Sequence, residues 1–118
     1  MSPSLILIVG IHALVAWILV EIFVNMAHEL RRTMYILWHH VILAASFACT
    51  FWVYYQVFHV GTSVFAVTMT GLCFLLIFEL VVFRYLYSGD RWFLNWTDWI
   101  LPMFIATSVM HLMGALLT

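Results

Sequence analysis

The stretch LILIVGIHALVAWILVEIFVNM, residues 5–26, is almost wholly apolar, and Glu21 is its one formal charge. A helix needs about 20 such residues to cross the hydrocarbon core of a bilayer, and this run supplies them without a break. In lipid every backbone N–H and C=O must be satisfied within the chain, which leaves only helices or closed barrels. Apolar runs as long and as few as those of this chain cannot close a barrel. The stretch therefore predicts a membrane-spanning helix, ending where Ala27-His28-Glu29-Leu30-Arg31-Arg32 brings the first cluster of charge. Met1-Ser2-Pro3-Ser4 carries no basic n-region, and no small-residue cleavage site precedes the charges, so the run reads as a retained span and not a signal peptide.

The pattern recurs along the chain. A second span is expected over residues 35–60, turning at Gly61-Thr62-Ser63, and a third over 64–87, stopping at Ser88-Gly89-Asp90-Arg91. A fourth is expected over 100–117, with Pro102 in its first turn, where a missing N–H costs least. Between the last two, residues 90–99 hold Trp92, Trp96 and Trp99 among polar residues. That mixture suits an interfacial segment whose indoles anchor at headgroup level. The fold expected is all-α: a single domain, residues 1–118, of four transmembrane helices in an up-down antiparallel bundle, with consecutive helices side by side because their connections are short.

Composition agrees. Of 118 residues, 67% are hydrophobic and 8% charged, against about 45–50% and 25% in a soluble domain. The chain has four Lys+Arg, all of them arginines, at positions 31, 32, 84 and 91. That leaves no basic surface for nucleic acid, so the partners expected are the lipid bilayer and other membrane subunits or copies of the same chain. The arginines flank alternate connections, and the positive-inside rule then puts both termini on the non-cytoplasmic side. The location expected is the bacterial inner (plasma) membrane. Cys49 and Cys73 lie deep in apolar runs and read as small buried hydrophobes. Contact faces between helices in lipid are marked by small and weakly polar residues, here Ala44, Ala45 and Ala48, then Thr68, Thr70 and Gly71, and finally Ala106, Ser108, Gly114 and Ala115.

Two carboxylates, Glu21 and Glu79, interrupt the apolar runs. A charge at the bilayer centre costs at least about 2.5 kcal/mol, so each is expected to be protonated, paired or turned into the bundle. His39 and His40 sit at a similar depth on the second helix, and only one of two adjacent helical residues can face the axis squarely. His39 shares its face with Ser46 and Thr50, and His40 with Ala44 and Phe47. Glu21, Asn25, His28 and Arg32 would form a further line if the first helix runs on into its loop. Carboxylates beside imidazoles are the material of a proton relay, so Glu21, Glu79, His39, His40 and His28 are the candidates for one. The Glu-x-x-His pattern of di-iron bundles is absent.

Nearer the other membrane face lie His59, beside Gly61, and the pair His12 and His111. If the first and fourth helices are neighbours, that pair is level and can ligate a b-type haem. Three functions follow: a small four-span subunit of a larger membrane complex handling protons or electrons, an oligomeric proton-coupled transporter or channel using Glu21 or Glu79, or a haem b redox protein on His12 and His111. No nucleophile with a base at defined spacing and no phosphate-binding glycine loop is present, which argues against an enzyme acting alone.

Overall fold

The computed structural model describes residues 2–27, 29–58, 61–85 and 100–118, with 82–85 described by their backbone alone. Among the described residues the chain forms four helices and no strand: α1 Pro3–Met26, α2 Arg32–Val53, α3 Val64–Tyr85 and α4 Leu101–Leu117. A π-helical segment, Tyr54–Phe58, prolongs α2. Three helical stretches are long and apolar enough to cross a membrane, Pro3–Met26, Arg32–Phe58 and Val64–Val81, and α4 is shorter at 17 residues.

Local chemistry sets the helix ends. The Ser2 hydroxyl accepts from the Leu5 N–H at 3.2 Å and Pro3 fills the first turn of α1. Ala27 donates back to the Phe23 carbonyl at 2.9 Å, and Leu30 donates to Ala27 at 3.1 Å. Helix α2 starts at Arg32, earlier than the expected residue 35, because the Tyr35 N–H reaches the Arg31 carbonyl at 2.8 Å. The Arg32 guanidinium lies 6.0 Å from the Tyr35 ring centroid. The line expected through Glu21, Asn25, His28 and Arg32 is therefore not formed: α1 stops at Met26 and Arg32 belongs to α2. Gly61 takes the left-handed φ of +56°, which only glycine adopts at no steric cost. Ser63 then caps α3 by accepting from Ala66 at 3.1 Å.

His28, His59, Arg91 and the interfacial segment 90–99 with Trp92, Trp96 and Trp99 lie outside the described residues, as do residues 59–60 and 86–87 at the ends of the expected spans and the side chain of Arg84.

Helix directions alternate as expected. Phe23 stacks on Tyr35 while His12 meets Phe58, so α1 and α2 are antiparallel. Gly10 faces Phe74 and Trp17 faces Phe78, so α1 and α3 run parallel. Gly71 faces Met110 and Val64 faces Gly114, so α3 and α4 are antiparallel.

The order around the bundle departs from expectation. Helix α1 packs on α2 and α3, and α4 packs on the same two, so α2 and α3 face each other across a diagonal instead of lying side by side, and α1 and α4 form the other diagonal. A short connection does not forbid this. Interaxial distances of about 8–10 Å between neighbours put diagonal axes roughly 11–14 Å apart, and the five residues between Phe58 and Val64 can extend to about 17 Å. Close approach at glycine then selects the neighbours, with α1 meeting α3 at Gly10 and α4 meeting α3 at Gly71.

The core is a seam of Val9, Ala13, Ala16 and Val20 on α1, Leu43, Phe47 and Phe51 on α2, Val67 and Leu75 on α3, and Ala106 and Met110 on α4. Ala106, Gly114, Gly71 and Thr68 are buried as expected, whereas Ala45, Ser108 and Ala115 point outward. Cys49 and Cys73 are also exposed on the outer surface, which corrects their reading as buried residues. Their apolar surroundings in the sequence belong to the outer face of each helix and not to the protein interior.

Candidate functional site

On α1, Gly10, Trp17 and Glu21 are seven and eleven residues apart and share one side of the helix. Gly10 and Trp17 show that this side faces α3. The Trp17 indole N–H donates to Glu79 Oε1 of α3 at 2.9 Å, and the Trp17 ring lies 5.7 Å from that of Phe78. Trp17, Glu21 and Glu79 are all half-buried. The carboxylate of Glu79 is thus turned toward a neighbouring helix and held there.

The imidazoles occupy a different side. His12 and Phe23, eleven residues apart, face α2. His39 is 6% exposed and stacks on Tyr35 at 5.5 Å, which in turn stacks on Phe23 at 6.4 Å. His39 is therefore the member of the pair that faces the interior, with Thr50 buried further up its stripe. His40 is half-buried, and its Nδ1 lies 2.7 Å from the Ile36 carbonyl. A carbonyl only accepts, so Nδ1 carries a proton and donates. The structure brings Glu79 to Trp17 and His39 to Tyr35. Among the described residues no cluster of three or more His, Cys, Asp or Glu could hold a metal ion.

His12 does the same, with Nδ1 donating to the Ile8 carbonyl at 2.8 Å. Its ring sits among Phe51, Tyr54 and Phe58, with centroids at 6.4, 5.5 and 5.1 Å. The first and fourth helices, expected as neighbours, are diagonal in the bundle; His12 lies among these aromatic rings and His111 is exposed on α4.

Three features escape sequence reasoning. Trp17 is a hydrogen-bond partner of Glu79. Its signal is an indole in mid-helix, far from the headgroup belt, whose N–H must find an acceptor. Tyr54 and Tyr55 are buried in the π-helical segment, with their rings 4.9 Å apart, and π-helical turns recur at functional sites. Gly10 is the third. Comparison of the chain with protein families, with curated proteins and with solved structures finds no match, so the functional reading rests on geometry.

Proposed function

We propose that the chain is a four-span integral membrane subunit that packs in a larger membrane assembly, against other subunits or further copies of itself. The observation that supports this is the outer face of α4. Pro102, Ala106, Met110 and Gly114 turn inward at four-residue spacing, while Ser108, His111 and Ala115 are exposed on the opposite side. His111 lies about 10 Å from the end of its helix, at hydrocarbon depth. An imidazole there is costly against lipid, and small neighbours such as Ser108 and Ala115 let another helix approach closely and bond to it. One covering helix answers both features. In this reading the subunit lies in the inner (plasma) membrane of a bacterium, with the arginine-bearing connections cytoplasmic and both termini outside.

Extraction in mild detergent, followed by native mass measurement, tests the proposal. The expected particle is heavier than the 13.8 kDa chain with its detergent. His111→Leu and Ser108→Leu should reduce it to the single chain while helicity is retained. A lone chain in every mild detergent and in nanodiscs, or an assembly indifferent to both substitutions, would overturn the reading.

Orientation has its own test. In a chain lacking Cys49 and Cys73, cysteines at Ser2 and Thr118 should react with an impermeant reagent from one side and a cysteine at Glu29 from the other. Reaction of all three from the same side would sink the four-span topology.

A further inference from the structure

Two imidazoles of this chain have hydrogen-bonding capacity that the bundle does not use. His111 is exposed on α4 and makes no hydrogen bond or ring contact among the described residues. His12 is half-buried, and only its Nδ1 is engaged, at 2.8 Å from the Ile8 carbonyl. Its Nε2 bonds to nothing among the described residues and is not enclosed, unlike His40 Nε2, which is buried without a hydrogen bond. Of the rings around His12, Phe51 and Tyr54 are fully buried, whereas Phe58, the nearest at 5.1 Å, is 39% exposed. His12 therefore reaches from the core to the surface in the groove between α1 and the π-helical segment.

The two groups share a depth. Counting from Pro3 and from Leu117, which end on the same side of the bundle, His12 lies about 14 Å in and His111 about 10 Å. Contacts between helices agree: the His12 ring is 5.5 Å from that of Tyr54, and the next residue, Tyr55, meets Gly114, three residues beyond His111. The imidazoles are thus within about one helical turn of the same level. They open on different sides of the bundle, since α1 and α4 are diagonal and His111 is turned away from the inward row Pro102, Ala106, Met110 and Gly114.

We propose that copies of this chain associate head to tail, with His111 of one copy donating to His12 Nε2 of the next. The proposal rests on the reading of α4 as a covered face and names what covers it: the groove between α1 and the π-helical segment of a second copy. A neutral imidazole has one donor and one acceptor. The donor of His12 is spent on Ile8, so Nε2 is left to accept, while His111 keeps its donor. A second copy inserted with the same orientation brings its His12 to the level of His111 without tilt or shift, so the chain itself is a partner of matching chemistry and depth. Ser108 and Ala115, exposed beside His111, permit the close approach on which bonds between helices in lipid depend. The contact joins two different surfaces, so every copy carries one of each, and repetition closes into a ring where the angle between them allows.

Native mass measurement of the chain, purified alone in mild detergent, tests the pairing. His12→Leu, like His111→Leu, should reduce the assembly to single chains with helicity retained. Mixing the two variants is the deciding sample. The His12→Leu chain keeps its His111 and the His111→Leu chain keeps its His12, so together they can form one contact and no more. A particle of two chains, one of each variant, is expected. A His12→Leu assembly with the mass of the parent, as a two-fold contact through His111 or a different partner would give, overturns the proposal and leaves the reading of α4 as a covered face in place; a mixture that stays as single chains does the same. A parent that is a single chain throughout overturns both. Should His12→Leu not fold, the parent itself decides: in an assembly of nitrogen-labelled and carbon-labelled chains, magnetisation transfer between the His12 ring of one and the His111 ring of another is expected, and its absence refutes the contact.

Discussion

Alanine at position 114 is expected to destabilise the bundle by roughly 1–3 kcal/mol, the usual cost of overpacking a filled contact. Elsewhere in a helix the same change should stabilise by about 0.5–1 kcal/mol, since glycine loses the most backbone freedom on folding. The contacts reverse the sign. A methyl on Gly114 would stand 2.5 Å from Tyr55 Oη and from Val64 Cγ1, and 2.7 Å from Tyr55 Cζ. Those atoms belong to two different elements, and Tyr55 is a rigid ring with 7% exposure, so relief requires helices to part. Gly71 is the control. Its added methyl meets Met110 Sδ at 2.6 Å, but an unbranched thioether can swing away, so Gly71→Ala should fall within about 0.5 kcal/mol of the parent. Loss of helicity as a denaturing detergent is titrated into a mild one would measure both. Equal stability of the two variants would show that α4 does not close on the π-helical segment as tightly as the structure has it.

Sequence and structure part company where lipid removes the usual code. Four apolar runs are legible because each helix is apolar along nearly its whole length, and three of them are long enough to cross a membrane. Which side of each helix faces inward is not, because the outward residues of these helices are as apolar as the inward ones. Small residues are the remaining cue and they serve both faces. Ala106 and Gly114 seat α4 in its own bundle, while Ser108 and Ala115 on the same helix look out. The seam of Val9, Ala13 and Ala16 on α1 has no polar opposite face to reveal it. The order of helices is less legible still, since it depends on where a glycine meets a bulky ring, as Gly10 meets Phe74. Nor was the diagonal placing of α1 and α4, which carry His12 and His111, visible in the sequence. The carboxylates were visible one at a time through their cost in hydrocarbon; the indole that holds Glu79 was not, because tryptophan in a membrane chain is first read as an interfacial anchor.

That indole sets the second large effect. Trp17→Phe keeps the ring against Phe78 and deletes the donor to Glu79 Oε1. Interhelical hydrogen bonds inside membranes contribute about 0.6 kcal/mol on average and up to about 1.7. Glu79→Leu should cost at least as much, and more than Glu21→Leu, because Glu79 carries a bond between helices. Glu79→Gln retains an oxygen that can accept from Trp17, so its stability should stay near that of the parent. In a double-mutant cycle, Trp17→Phe and Glu79→Leu should show a coupling of about 0.6–1.7 kcal/mol; strictly additive costs would mean that the bond does not form in the membrane. The glutamine variant then separates two roles for the carboxylate. If Glu79→Gln keeps its coupling to Trp17 but abolishes the activity of the assembly, the carboxylate titrates in function as well as joining α1 to α3. If it keeps both, the joining of the two helices is the whole of its task.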